Sequence, residues 1–193
     1  MINQVEQFID KEFANFLFNY TLHTDNKVTD NDQVQGAQVS YNDLNMRILL
    51  STLKPKVEEA YGKRLHETYA FYRLYTYGQD LKKHTDRPAC EVSVTLCLGY
   101  NFDYQWPIYV DGKAYGMSPG QGIIYKGCEQ VHWRDPLVYT SWQNEEVTDT
   151  PNLIHSQVFL HYIEAGGQYD PEHRNDAANI EGQNNERTNS STG

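Results

Sequence analysis

His84 and Asp86 stand two residues apart in "LKKHTDRPAC", just ahead of the apolar run "EVSVTLCLGY". On an extended chain residues i and i+2 point to one side, so an imidazole and a carboxylate at this spacing face one cation. His-x-Asp alone is a common coincidence and needs a third ligand. His132 in "EQVHWR" is the candidate, at the start of another strand-like segment. Two His and one carboxylate take three corners of an octahedron and leave three open, which suits non-haem Fe(II), whereas zinc prefers a tetrahedron with one open position. Three open positions accommodate a bidentate ligand and one further molecule. An isolated His is more often a hydrogen-bonded structural residue, and that reading holds for most of the seven histidines. His155 and His161 alternate with apolar residues and suit core or pocket-wall roles as well as chemical ones.

These residues need a scaffold. In "NQVEQFIDKEFANFLFNYTLH" the apolar residues Val5, Phe8, Ile9, Phe13, Phe16 and Leu17 recur at three- and four-residue steps and predict one helix with one apolar stripe. A polar stretch over 22–40 reads as a loop with a short strand around Val34. A second helix is expected from about Tyr41, capped by Ser40 or Asn42, interrupted at Pro55 and stopped at Gly62. From His66 the texture turns to strands. "ETYAFYRLYTYG", the hairpin "WPIYVDGKAYGMSP" with its Asp-Gly turn, "GQGIIYKG" and "IHSQVFLHYIE" bring the count to roughly seven or eight short strands, the pattern of a sandwich, jelly roll or barrel. His84 and Asp86 fall where the aromatic strand ends. The stretch 135–154 is a long connection of the kind that forms a functional lid. One domain is expected over 1–165, with helices in 1–65 and strands in 66–165, followed by a polar, disordered tail over 166–193.

Composition narrows the classes. With 193 residues and 39% hydrophobic content the chain can bury a core, while the fifteen tyrosines suit a barrel with a partly polar interior. A net charge of −10 opposes sequence-independent attraction to phosphate, so nucleic acid is an unfavoured partner. No apolar run is long enough for a membrane span and the start lacks a leader pattern, so a soluble, cytoplasmic protein is expected. Cys90, Cys97 and Cys128 are odd in number and lack paired spacing, which points to reduced thiols.

Tyr75-Thr76-Tyr77-Gly78, then His84 six residues after the glycine, then Asp86, then "SPGQGIIYKG" and "VHWR" form an ordered set. That set resembles the 2-oxoglutarate- and Fe(II)-dependent dioxygenases, in particular their prolyl-4-hydroxylase-like branch, over roughly residues 66–163. The resemblance implies a mainly β protein with N-terminal helices around a double-stranded β-helix, or jelly-roll, core of cupin type. It implies Fe(II) held by His84, Asp86 and His132, with 2-oxoglutarate and O2 as co-substrates, ascorbate as an auxiliary reductant, and succinate and CO2 as products of a hydroxylation. The substrate would be a prolyl or other protein side chain, a peptide, an amino acid or a small metabolite. Tyr75 corresponds to a family tyrosine that contacts the co-substrate. The family's Lys or Arg shortly past the distal His has no counterpart in "TSWQNEE". Arg134, sharing a face with His132, is the substitute for the far carboxylate, with Gln157 third after Tyr75 and Arg134. A cupin-like isomerase or metal-binding protein that does not use 2-oxoglutarate, and a non-enzymatic scaffold, are the competing readings. Arg134 beside Asp135 also fits a simple ion pair, and Lys82, Lys83 and Arg87 a solvated rim.

Overall fold

A computed structural model describes residues 2–138, 152–170 and 172–173. The middle of the expected lid, 139–151, and most of the expected tail, 174–193, lie outside the described residues. Two sheets face each other. Strand β1 (Asn3–Val5) is followed by helix α1 (Lys11–His23), β2 (Val28–Asp30), β3 (Ala37–Tyr41), helix α2 (Leu44–Tyr61) and the long β4 (Leu65–Thr76). Then come β5 (Leu81–His84), β6 (Val92–Tyr100), β7 (Ile108–Val110), β8 (Lys113–Tyr115), β9 (Gly122–Tyr125), β10 (His132–Arg134) and β11 (Ile154–Glu164). The larger sheet runs β1-β9-β6-β11-β4-β3-β2 and the smaller β5-β10-β7-β8, all pairings being antiparallel. From β4 the chain crosses repeatedly between the two sheets, which winds them into a double-stranded β-helix. The β7–β8 hairpin turns at Asp111 and Gly112, both with positive φ (49° and 82°), as an Asp-Gly type I′ turn requires.

The period of two in β4 and β11 divides their side chains between two environments. Ala70, Tyr72, Val158, Leu160 and Tyr162 pack outward under the helices, in one core with Met46, Leu49, Leu50, Leu53 and Val57 of α2. Tyr69, Phe71, Tyr75 and Phe159 face the interior between the sheets. Both faces of these central strands are buried, so their sequences read as nearly continuous apolar runs with polar residues only where the interior uses them.

The helical region departs from expectation in four respects. The first helix begins at Lys11, because Asp10 accepts from the Phe13 amide at 2.7 Å and caps it; residues 3–5 pair instead with β9 as a strand. Val5, Phe8 and Ile9 therefore belong to no helical stripe. On α1 the buried positions are Ala14, Leu17 and Thr21, and Phe13 and Phe16 stack on each other in solvent at 43% and 62% exposure. The cap of α2 is Asp43, accepting from the Asn45 and Met46 amides at 3.0 and 3.4 Å, rather than Ser40 or Asn42. Pro55 does not interrupt α2: it lies on the exposed side, where water can satisfy the carbonyl left without an amide partner. Gly62 ends the helix in the left-handed region, as expected. Around Val34 there is a bend, with strands on either side of it.

A direct check on the α1 correction is thermal unfolding. Phe16→Ala should change stability by less than about 0.5 kcal/mol, whereas Leu17→Ala should cost about 2–5 kcal/mol. Equal effects would sink this assignment of the buried face. Among the described residues no helix is long and apolar enough to cross a membrane.

Candidate active site

The expected ligand strand is a separate element. β4 ends at Thr76, Gly78 turns the chain at φ 80°, and His84 closes the short strand β5 in the smaller sheet, with Asp86 just beyond it. β10 pairs with β5 in a register that sets His132 opposite His84, their ring centroids 4.2 Å apart. Each Nδ1 lies against a backbone oxygen two residues earlier, Lys82 at 2.8 Å and Gln130 at 2.9 Å. Those carbonyls only accept, so each Nδ1 carries the proton and each Nε2 is turned toward Asp86 Oδ1, at 3.5 Å for His84 and 3.4 Å for His132. The three ligand atoms lie within 4.8 Å of one another. Three electron-rich atoms this close need a cation among them, either protons on the imidazoles or one metal ion. Burial alone would raise the Asp86 carboxyl, but His132 and His84 facing it, when their Nε2 atoms are protonated, outweigh it and hold the carboxyl far below the usual range.

Asp86 is gripped on its other side. Its amide donates to the Gly127 carbonyl at 2.8 Å, and Ser93 Oγ donates to Oδ2 at 2.8 Å. Gly127 has no room for a side chain: a Cβ there would meet Cys90 O at 2.3 Å, Asp86 Oδ2 at 2.4 Å and Ser93 Oγ at 2.7 Å. Gly127→Ala should therefore displace the carboxylate and weaken metal affinity by about 10–100-fold, the usual effect of disturbing an outer partner. Titration with Co(II) would show it, and wild-type affinity in the variant would refute this role.

A cavity of about 250 Å³ opens on the three ligands, with Tyr125, Phe159 and His161 in its walls. Tyr125 packs on the His132 ring at 4.8 Å. Arg73, on the inner face of β4, also lines the cavity; its Nη2 donates to Asp30 Oδ2 at 2.7 Å and Gln33 Oε1 at 2.8 Å, and its Nη1 to the Tyr75 hydroxyl at 3.2 Å. Because the guanidinium fixes Oε1, the Gln33 amide nitrogen is the atom turned to His84 Nε2, at 3.0 Å. Sequence reading missed Arg73, Asp30 and Gln33. The only local signal was that Arg73 and Tyr75 share a face of one strand.

Tyr75, Arg134 and Gln157 come together as a buried cluster beside this cavity rather than among its lining residues. Arg134 donates through Nη1 to the Trp106 carbonyl at 2.7 Å and through Nη2 to Gln157 Oε1, and its guanidinium lies 4.5 Å from the Trp106 ring and 5.9 Å from the Tyr75 ring. Among the described residues no carboxylate pairs with it, Asp135 included, which corrects the ion-pair alternative. Burial pushes the guanidinium down to about 10. His155 sits opposite Tyr75 across β11 and β4, and burial with the nearby Arg134 charge holds it well below its ordinary value. Arg134 Nε, Gln157 Nε2 and His155 Nδ1 are buried without hydrogen-bond partners. A buried positive charge next to three polar atoms without partners is an arrangement whose unmet groups an anion could satisfy. Of the rim cations, Lys82 pairs with Asp80 at 2.5 Å, Lys83 sits 4.3 Å from the Trp133 ring, and Arg87 reaches the cavity beside Tyr69. Cys90 and Cys97 are free and buried and Cys128 is free and half-buried.

No family model and no curated protein sequence matches this chain. Solved structures do match. A prolyl-4-hydroxylase from Pseudomonas putida superposes with a TM-score of 0.60 at 14% identity, over 83% of this chain and 91% of that one. The viral collagen prolyl hydroxylase from Paramecium Bursaria Chlorella virus-1, solved as a 2-oxoglutarate complex, gives 0.57 at 8% identity over 83% and 95%. HygX from Streptomyces hygroscopicus, solved with nickel and 2-oxoglutarate bound, gives 0.57 at 8% over 83% and 82%. The order of the strands, the crossings between sheets and these superpositions agree: this chain has the double-stranded β-helix fold of the 2-oxoglutarate–Fe(II) oxygenases, prolyl-4-hydroxylases among them.

Proposed function

We propose that this protein is an Fe(II)- and 2-oxoglutarate-dependent oxygenase that hydroxylates a protein side chain of prolyl type, an amino acid or another small metabolite, releasing succinate and CO2. The carrying observation is the pairing of two prepared sites: three converging ligand atoms, and beside them a buried guanidinium with no carboxylate partner among the described residues. His84, Asp86 and His132 would hold the iron, and iron bound there would supply the activation of O2 against 2-oxoglutarate. The chain's own task is orientation. Lys82 and Gln130 carbonyls fix the imidazole tautomers, while Ser93 and Gly127 fix the carboxylate. Arg134 and Gln157 would take the far carboxylate of 2-oxoglutarate, with the Tyr75 hydroxyl as a further contact. Gln33, whose amide now faces the His84 ligand atom, would have to yield that lone pair to the metal. The buried aromatic walls would keep water from the reacting centre.

The decisive measurement adds Fe(II) and 2-oxoglutarate without oxygen and then admits air. A visible charge-transfer band that appears only with both additions, followed by succinate on aeration, is the expected result. A metal-binding protein or isomerase of the same fold would bind the metal and give neither.

A further inference from the structure

His161 lies on the inner face of β11, 3% exposed, and lines the cavity next to the metal ligands without being one of them. Its ring packs 4.6 Å from Tyr69 and 5.7 Å from Phe71. The protonation of its two nitrogens follows from a count of hydrogens. Nδ1 is 3.0 Å from Ser93 Oγ, and Ser93 has a single proton to give. The other neighbours of that hydroxyl are Asp86 Oδ2 at 2.8 Å and the Cys90 carbonyl at 3.1 Å, and neither can donate to it. Ser93 therefore donates to the nearer and charged Asp86 Oδ2 and accepts from His161, so the proton of the neutral ring sits on Nδ1. Burial opposes a second proton and pushes the imidazole down to about 4. Nε2 is left as a bare lone pair, buried and without a partner among the described residues.

A buried acceptor with no donor costs about 1–3 kcal/mol, and the ring that carries this one lines the cavity, so a donor brought against the ring would relieve that cost. We infer that His161 determines specificity in the primary-substrate site: it receives a hydrogen bond from a neutral hydroxyl or N–H of the substrate, while the stacked rings of Tyr41, Phe71 and Phe159 receive its apolar body. Those rings lie 4.9 and 4.5 Å apart in sequence across the wall. A carboxylate or phosphate would not suit this position, since it would meet an acceptor lone pair with Asp86 close behind. This substrate class rests on the oxygenase reading; the acceptor itself does not.

The test uses the full chain loaded with Zn(II) and labelled with 15N in histidine. Long-range 1H–15N spectra should show His161 protonated at Nδ1 and bare at Nε2. Phenol, which donates, and fluorobenzene, which has nearly the same shape and does not, are then titrated. Phenol should bind about tenfold more tightly and move the His161 Nε2 resonance, the difference expected of one hydrogen bond. His161→Phe keeps a ring in the stack and should erase that preference while leaving fluorobenzene affinity unchanged. A proton on Nε2, equal affinities for the two probes, or no phenol binding overturns the inference. 2-Oxoglutarate is titrated separately into the Ni(II)-loaded protein; failure there, with the His161 results intact, would remove the oxygenase reading alone.

Discussion

His132→Ala should lose more than about 100-fold in affinity for Fe(II) or Co(II), beyond what disturbing an outer partner costs, and 2-oxoglutarate turnover should fall to background. Of the three candidate ligands, His132 is the one that the fold holds most firmly. It is 2% exposed, packed against Tyr125, and fixed by its Gln130 carbonyl bond, whereas His84 is half-buried at a strand end. Without it, His84 and Asp86 present two ligand atoms on one side of the site, too few to keep an octahedral ion against water. The imidazole is small and next to an existing cavity, so the variant should stay folded. Isothermal titration with Co(II), a succinate assay and a melting curve separate these effects. A folded variant that binds the metal as the wild type does would falsify the ligand assignment.

The second large effect concerns Arg134. Arg134→Met should reduce 2-oxoglutarate affinity of the Ni(II)-loaded protein by at least about 30-fold, the lower end of the 2–5 kcal/mol that removing one member of a buried charge pair costs. Metal affinity should not change, because the guanidinium touches Trp106 and Gln157 and none of the three ligands. Stability without the co-substrate should move little. Methionine removes a desolvated charge that has no carboxylate partner among the described residues, which is favourable, and strands the Trp106 carbonyl and Gln157 Oε1, which is not. The rival cation is Arg73, which lies in the cavity wall but is already neutralised by Asp30 at 2.7 Å. If Arg134→Met retains 2-oxoglutarate affinity, the far carboxylate belongs elsewhere, and Arg73 is the first place to look.

The convergence of the candidate ligands was more legible in the sequence than the helical region was. A ligand pair at i and i+2 needs only a locally extended chain, and a strand pattern was plain around both His84 and His132. Arg134 followed from His132 by the same alternation, and both are indeed buried on one face of β10. The α1 stripe failed because apolar residues at three- and four-residue steps ran across the end of a strand and a cap. Asp10 decides where the helix begins, and Gly120, whose carbonyl accepts from the Phe8 and Ile9 amides at 2.8 and 3.4 Å, holds the preceding residues out of it. Phe13 and Phe16 then face solvent because the sheet meets the other side of α1, where Thr21 Oγ1 lies 2.8 Å from Ser156 Oγ.

The sequence by itself determined the elements whose cause is local: the period-two strands, the Asp-Gly hairpin, the Gly62 stop and the spacing of the candidate ligands. The tertiary structure decided which polar residues share the interior. Arg73 is buried only because Asp30 at the end of β2 and Gln33 in the bend after it arrive from a distant part of the chain, and His161 gains a defined lone pair only because Ser93 and Asp86 arrive from other segments. Burial of a charge or a bare imidazole depends on partners remote in the chain, and no window of sequence contains both members of such a pair.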